Sequence, residues 1–106
     1  MARLSTHVLD TSRGCPAAGI QVQLYAVEPA AHRLIATIVT DRDGRAQFSE
    51  ALPPARYEMV FAAGRYFGFA HFLEDVVVRF TISAAIANYH VPLLLSPYGY
   101  TTYRGS

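Results

Sequence analysis

The sequence predicts an all-β sandwich of about eight short strands with one short helix, on three observations. Apolar residues recur at every second position over most of the chain. Clusters of Gly, Pro, Asp and Ser interrupt that alternation at short intervals, and helical spacing appears in only one brief stretch. With 106 residues the chain suits one domain, residues 1–106, large enough to bury a core.

The elements follow in order. The segment from Arg3 to Asp10 alternates, with Arg3, Ser5, His7 and Leu9 on a wetter face and Leu4, Thr6, Val8 and Asp10 on the other. Arg13-Gly14-Cys15-Pro16 turns the chain into a strand whose Ile20, Val22, Leu24 and Ala26 face a core. Further strands are expected at about 33–40 and 45–48, joined by Asp41-Arg42-Asp43-Gly44, and at about 56–62 after the tight Pro53-Pro54 loop. Ala62 to Glu74 breaks the alternation and holds the helical stretch, despite Gly64 and Gly68. Val76, Val78, Phe80 and Ile82 restore period two, and strands at about 89–95 and 99–104 flank Ser96-Pro97-Tyr98-Gly99. Pro92 lies inside the first of these last two and cannot donate a ladder hydrogen bond, so that strand is expected at a sheet edge or bordering a special surface.

Composition narrows the function classes. The chain is 52% apolar and only 16% charged, so a monomer would expose much apolar surface and an oligomer is expected. Nine arginines and no lysine face eight acidic residues for a net charge of +1, and the arginines form no stripe. Neither nucleic acid nor an anionic membrane is an expected partner. A lone Cys15 fits a reducing compartment, the N-terminal residues lack an apolar leader, and no run approaches the roughly 18 residues of a membrane span. A cytoplasmic location is the expectation.

Taken alone, the polar residues on strands have ordinary explanations. His32 and His71 suit surface or packing roles, and Cys15 has no base or cation beside it. No phosphate loop, G-x-S-x-G or metalloprotease motif is present. His7 and His90, Arg45 after an Asp-Gly turn, and the aromatic approach to Ser106 become informative only together.

Together they carry a resemblance. His7-Val8-Leu9-Asp10, Gly14 with Pro16-Ala17, Asp43-Gly44-Arg45, Tyr89-His90-Val91-Pro92-Leu93-Leu94-Leu95-Ser96-Pro97 and the closing Tyr103-Arg104-Gly105-Ser106 resemble the 5-hydroxyisourate hydrolases, or transthyretin-related proteins. The resemblance implies a transthyretin-like β-sandwich assembled as a homotetramer, a dimer of dimers with a channel between the dimers. It implies hydrolysis of the cyclic amide of 5-hydroxyisourate to 2-oxo-4-hydroxy-4-carboxy-5-ureidoimidazoline in urate breakdown, with no cofactor and no metal. His7, Arg45 and His90 are the implied catalytic residues, and Arg45, Tyr103, Arg104 and Ser106 the implied substrate-binding ones. Two positions depart from the pattern: Asn88 stands where many relatives have His, and Leu73-Glu74-Asp75 replaces a proline-containing approach to the sixth strand. Neither falls on an implied site position.

Hydrolysis needs a proton acceptor for water and a cation for the developing oxyanion, which imidazole and guanidinium supply. Either histidine could be the direct base. Arg45 should pull a nearby histidine pKa below its usual value and repel a divalent metal. Ser106 lacks the adjacent base and acid of a nucleophile, so its hydroxyl or a terminal carboxylate is expected to position substrate. The competing readings are a non-catalytic transthyretin-like carrier of small ligands and a plain interaction module.

Overall fold

The computed structural model describes residues 1–105. Nine strands and one helical turn follow in order: β1 (Arg3–Asp10), β2 (Cys15–Pro16), β3 (Gln21–Val27), β4 (His32–Val39), β5 (Arg45–Gln47), β6 (Ala55–Phe61), α1 (Ala63–Tyr66), β7 (Val76–Ile82), β8 (Asn88–Leu95) and β9 (Tyr100–Thr102). One sheet runs β2-β1-β8-β9, with β5 also pairing β1; the other runs β4-β3-β6-β7. The additional strand is β2, where the residues read as a turn pair briefly with Leu9 and Asp10.

Period-two patterning sets the packing. Leu4 and Val8 of β1, Val22 and Leu24 of β3, Met59 and Phe61 of β6, and Leu93 and Leu95 of β8 are fully buried between the sheets. Each fully buried aliphatic or aromatic side chain contributes roughly 1.5–3 kcal/mol relative to exposure, so the alternation alone specifies which face of each strand turns inward. The wetter face of β1 therefore becomes the outer face of its sheet, the one available for chemistry.

The helical stretch contracts to a single turn. Phe69 turns into the left-handed region at φ 59, and two glycines in the segment lower its helix propensity. What fixes α1 is a polar tie: Tyr66 donates its hydroxyl to Asp10 Oδ2 at 2.9 Å, at the end of β1. Burial works to raise the Asp10 pKa, but hydrogen bonds from Ser12, Tyr66 and Arg13 outweigh it and hold the carboxyl below its ordinary value.

The edge position expected for the Pro92 strand is corrected. β8 lies inside its sheet, parallel to β1 over eight residues, from Arg3↔Asn88 to Asp10↔Leu95, and antiparallel to β9 on its other side. The carbonyl of Pro92 faces β9 and accepts from Thr102 Oγ1 at 2.7 Å. Because proline offers no N–H on that side, the β8–β9 ladder stops at Leu93↔Thr102 and resumes only as a bridge between His90 and Gly105. The proline thus interrupts an interior ladder beside the outer face that carries His90. No helix is long and apolar enough to cross a membrane among the described residues.

Candidate active site

Three strands bring the polar residues of the outer face into two rows. Antiparallel pairing sets Gln47 of β5 against Ser5 and Arg45 against His7, while parallel pairing sets His90 of β8 against Ser5 and Pro92 against His7. The rows therefore read Gln47–Ser5–His90 and Arg45–His7–Pro92, two residues or roughly 7 Å apart along β1. Residues distant in sequence meet because β1 is the shared middle strand.

The turn before β5 aims Arg45. Asp41 Oδ1 accepts the backbone N–H groups of Asp43 at 2.9 Å and of Arg45 at 3.0 Å. The Arg45 hydrogen bond is the main reason the Asp41 carboxyl sits below its ordinary pKa. Gly44 adopts φ 74 and lies so close to β1 that a Cβ there would fall 2.3 Å from the Val8 carbonyl oxygen. Only glycine fits that approach, and the Val8 N–H donates to the Gly44 carbonyl at 2.7 Å. The Asp-Gly turn thereby delivers Arg45 to its place opposite His7.

His90 is held from two sides. Its Nδ1 lies 2.9 Å from Ser5 Oγ, and its carbonyl accepts the Gly105 N–H at 2.7 Å. The ring is half-buried, and its pKa is lowered first by burial and then by the charges of His7 and Arg45. The expected depression of a histidine pKa is thus found at His90, although burial contributes more than the guanidinium.

Two open hollows of about 330 and 320 Å³ adjoin on this face. Both are lined by Ser5, Arg45, Gln47 and His90; Arg3 and Asn88 border the first and Asp41 the second. His7 belongs to the same face and acts on His90 through its charge, but it lines neither hollow. Among the described residues, no three His, Cys, Asp or Glu side chains gather as a metal site would require.

Tyr103 and Arg104 go elsewhere. They line a separate, mainly apolar cleft of about 220 Å³ with Val78, Phe80, Tyr89 and Val91, at the open side between the sheets. Ser106 lies outside the described residues. Its neighbour Gly105 does reach the site, since a Cβ added there would fall 2.8 Å from His90 Cδ2.

Sequence reasoning gave no site role to Ser5, Gln47 or Asn88. Ser5 shares the parity of His7, as Gln47 does that of Arg45 and Asn88 that of His90, so each was recoverable once those residues were singled out. Asn88, which falls on no implied site position, nevertheless borders the hollow beside His90.

The HIUase/Transthyretin family model matches residues 4–105. The chain belongs to this family. Within the HIUase/Transthyretin family, a 5-hydroxyisourate hydrolase of Pseudomonas aeruginosa is 48% identical, with 100% of this chain and 93% of that protein covered. The solved 5-hydroxyisourate hydrolase of Klebsiella pneumoniae superposes with a TM-score of 0.89 at 38% identity, covering all of both chains. Sea bream transthyretin in complex with thyroxine superposes almost as well, at a TM-score of 0.86 and 27% identity over 96% of this chain and 93% of that one. Since the fold is common to both, the choice between them rests on the site.

Proposed function

We propose that this chain hydrolyses the cyclic amide of 5-hydroxyisourate in urate degradation. The observation that carries the reading is the meeting of two imidazoles and a guanidinium, His7, His90 and Arg45, on one sheet face beside hollows of small-ligand size. Full-length similarity to proteins named 5-hydroxyisourate hydrolase supports the same substrate.

In this reading a histidine takes a proton from water as the water oxygen attacks the ring carbonyl, and Arg45 stabilises the oxyanion. Collapse of the tetrahedral intermediate breaks the C–N bond, the imidazolium returns its proton to the departing nitrogen, and the new carboxyl group releases its remaining proton to solvent as a carboxylate. A positioned base contributes about 10²–10⁴ in rate and an oxyanion donor about 10²–10³. The lowered pKa of His90 suits the work because a neutral imidazole is required at the start.

The proposal extends to a cytoplasmic homotetramer, a dimer of dimers whose channel contains the site. Ser106 would complete substrate binding there, with Tyr103 and Arg104 contributing only from the neighbouring cleft that they line. Exposed Val77, Tyr100 and Tyr103 on the outermost strands and beyond β9 support association.

The test is the ultraviolet decay of freshly prepared 5-hydroxyisourate with and without protein. Decay well above the spontaneous rate is expected. Unchanged decay, with or without bound ligand, would remove the hydrolase reading, and saturable binding in that case would favour a carrier. Light scattering at the assay concentration reads the assembly.

A further inference from the structure

Ser5 has no part in the mechanism above, yet its hydroxyl touches one of the two imidazoles that the mechanism can use. It faces the hollows between Gln47 and His90, and the parallel register of β1 and β8 places it directly beside His90. The Ser5 Oγ to His90 Nδ1 distance of 2.9 Å is a full hydrogen bond. On the other edge of the ring the Gly105 backbone lies against Cδ2, close enough that a Cβ there would fall at 2.8 Å. The bridge between the Gly105 N–H and the His90 carbonyl fixes that approach.

A five-membered ring held at Nδ1 and crowded at Cδ2 keeps only its Cε1–Nε2 end unobstructed. The bond made by one imidazole nitrogen determines what the other can do. The geometry points to Ser5 as a positioning residue whose Oγ accepts from His90 Nδ1–H, holds the ring plane, and leaves the Nε2 lone pair for proton transfer. This rests on the proposed hydrolase reading for its consequence in catalysis, but the state of the ring does not.

The shape of the strand makes the assignment economical. Threonine in the same place would keep the hydroxyl and suit a strand, whereas alanine would remove the bond with little loss of volume on a half-buried outer face. Glutamine or asparagine would move the polar group away from Nδ1.

The test combines kinetics with a reading of the ring itself. Ser5→Ala is expected to lower kcat about tenfold, the effect of losing roughly one hydrogen bond in the transition state, with KM within about twofold. Its acid limb in kcat against pH should move, and Ser5→Thr should restore both rate and limb. Long-range nitrogen–proton spectra of the unmodified protein should show neutral His90 mainly as the Nδ1–H tautomer, and Ser5→Ala should show averaged nitrogens. A wild-type ring averaged between tautomers or held as Nε2–H, or a Ser5→Ala enzyme with unchanged kcat and unchanged acid limb, would overturn the assignment. Because the spectra need no substrate, failure of 5-hydroxyisourate hydrolysis and failure of the Ser5 assignment are read separately.

Discussion

The outer faces of the two sheets carry the same kinds of side chain in opposite arrangements. On the β4-β3-β6-β7 sheet, Glu58 stands between a histidine and an arginine, with His32 Nδ1 2.9 Å from one carboxylate oxygen and Arg79 Nη2 2.7 Å from the other. On the other sheet His7, Arg45 and His90 gather, but among the described residues no acidic side chain forms an ion pair with any of them. Asp41 is near, but its Oδ1 accepts backbone N–H groups of the turn. One central carboxylate turns a cationic cluster into a brace. Leaving it out keeps the cluster electropositive, disfavours protonation of His90, and leaves polar groups facing an open hollow.

If that contrast is functional, the largest effects belong to the face without the carboxylate. Arg45→Gln should lower kcat/KM by about 10²–10³ and His90→Gln by about 10²–10⁴. Glu58→Gln should leave kcat/KM within about twofold, although it removes the central charge of a similar-looking cluster. Steady-state decay of 5-hydroxyisourate measures all three. Equal losses from both faces would mean that the contrast has no bearing on catalysis.

A smaller effect sharpens the electrostatic side. With His90 as the base, its protonated form cannot accept a proton, so activity should fall as pH drops through its pKa, about tenfold per unit on the acid limb. Burial, His7 and Arg45 all displace that pKa downward, so the midpoint should lie below the ordinary histidine value of 6.5. Removing the guanidinium in Arg45→Gln should raise the His90 midpoint seen by nuclear magnetic resonance titration, but not fully to 6.5, because burial remains the larger cause. A midpoint unmoved in Arg45→Gln would show that the arginine does not act on this ring.

The strand faces were legible in the sequence because burial follows a period of two, and the inward set Ile20, Val22, Leu24 and Ala26 is the set the core uses. Pairing was not legible. Nothing in local alternation says that β8 joins β1 in parallel, and Pro92 argued for an edge because its missing N–H is a local fact, whereas its consequence depends on the strand beside it. The same limit explains Ser5. A serine on a wet strand face is unremarkable until parallel register puts His90 next to it, and that register comes from the tertiary fold. His7, Arg45 and His90 could be singled out only because the family resemblance supplied the relation that periodicity lacks.

The smallest expected effect tests the brace. Glu58 is 7% exposed and accepts from Arg79 Nε at 2.8 Å as well as pairing with His32. Glu58→Gln keeps the shape but weakens the contacts to both partners. Because Arg79 and His32 are substantially solvent-exposed, the loss should be about 1–2 kcal/mol, below the 3–5 typical of breaking a fully buried pair. His32→Asn removes only the more peripheral partner and should cost under about 1 kcal/mol. Urea unfolding of the two single variants and the double variant gives the coupling, and the double variant should lose less than the sum of the singles, since both substitutions remove the same His32–Glu58 contact. Strict additivity would mean that His32 draws no stability from Glu58 and that Arg79 alone engages this carboxylate, so that the outer face of this sheet holds one pair instead of a three-residue brace.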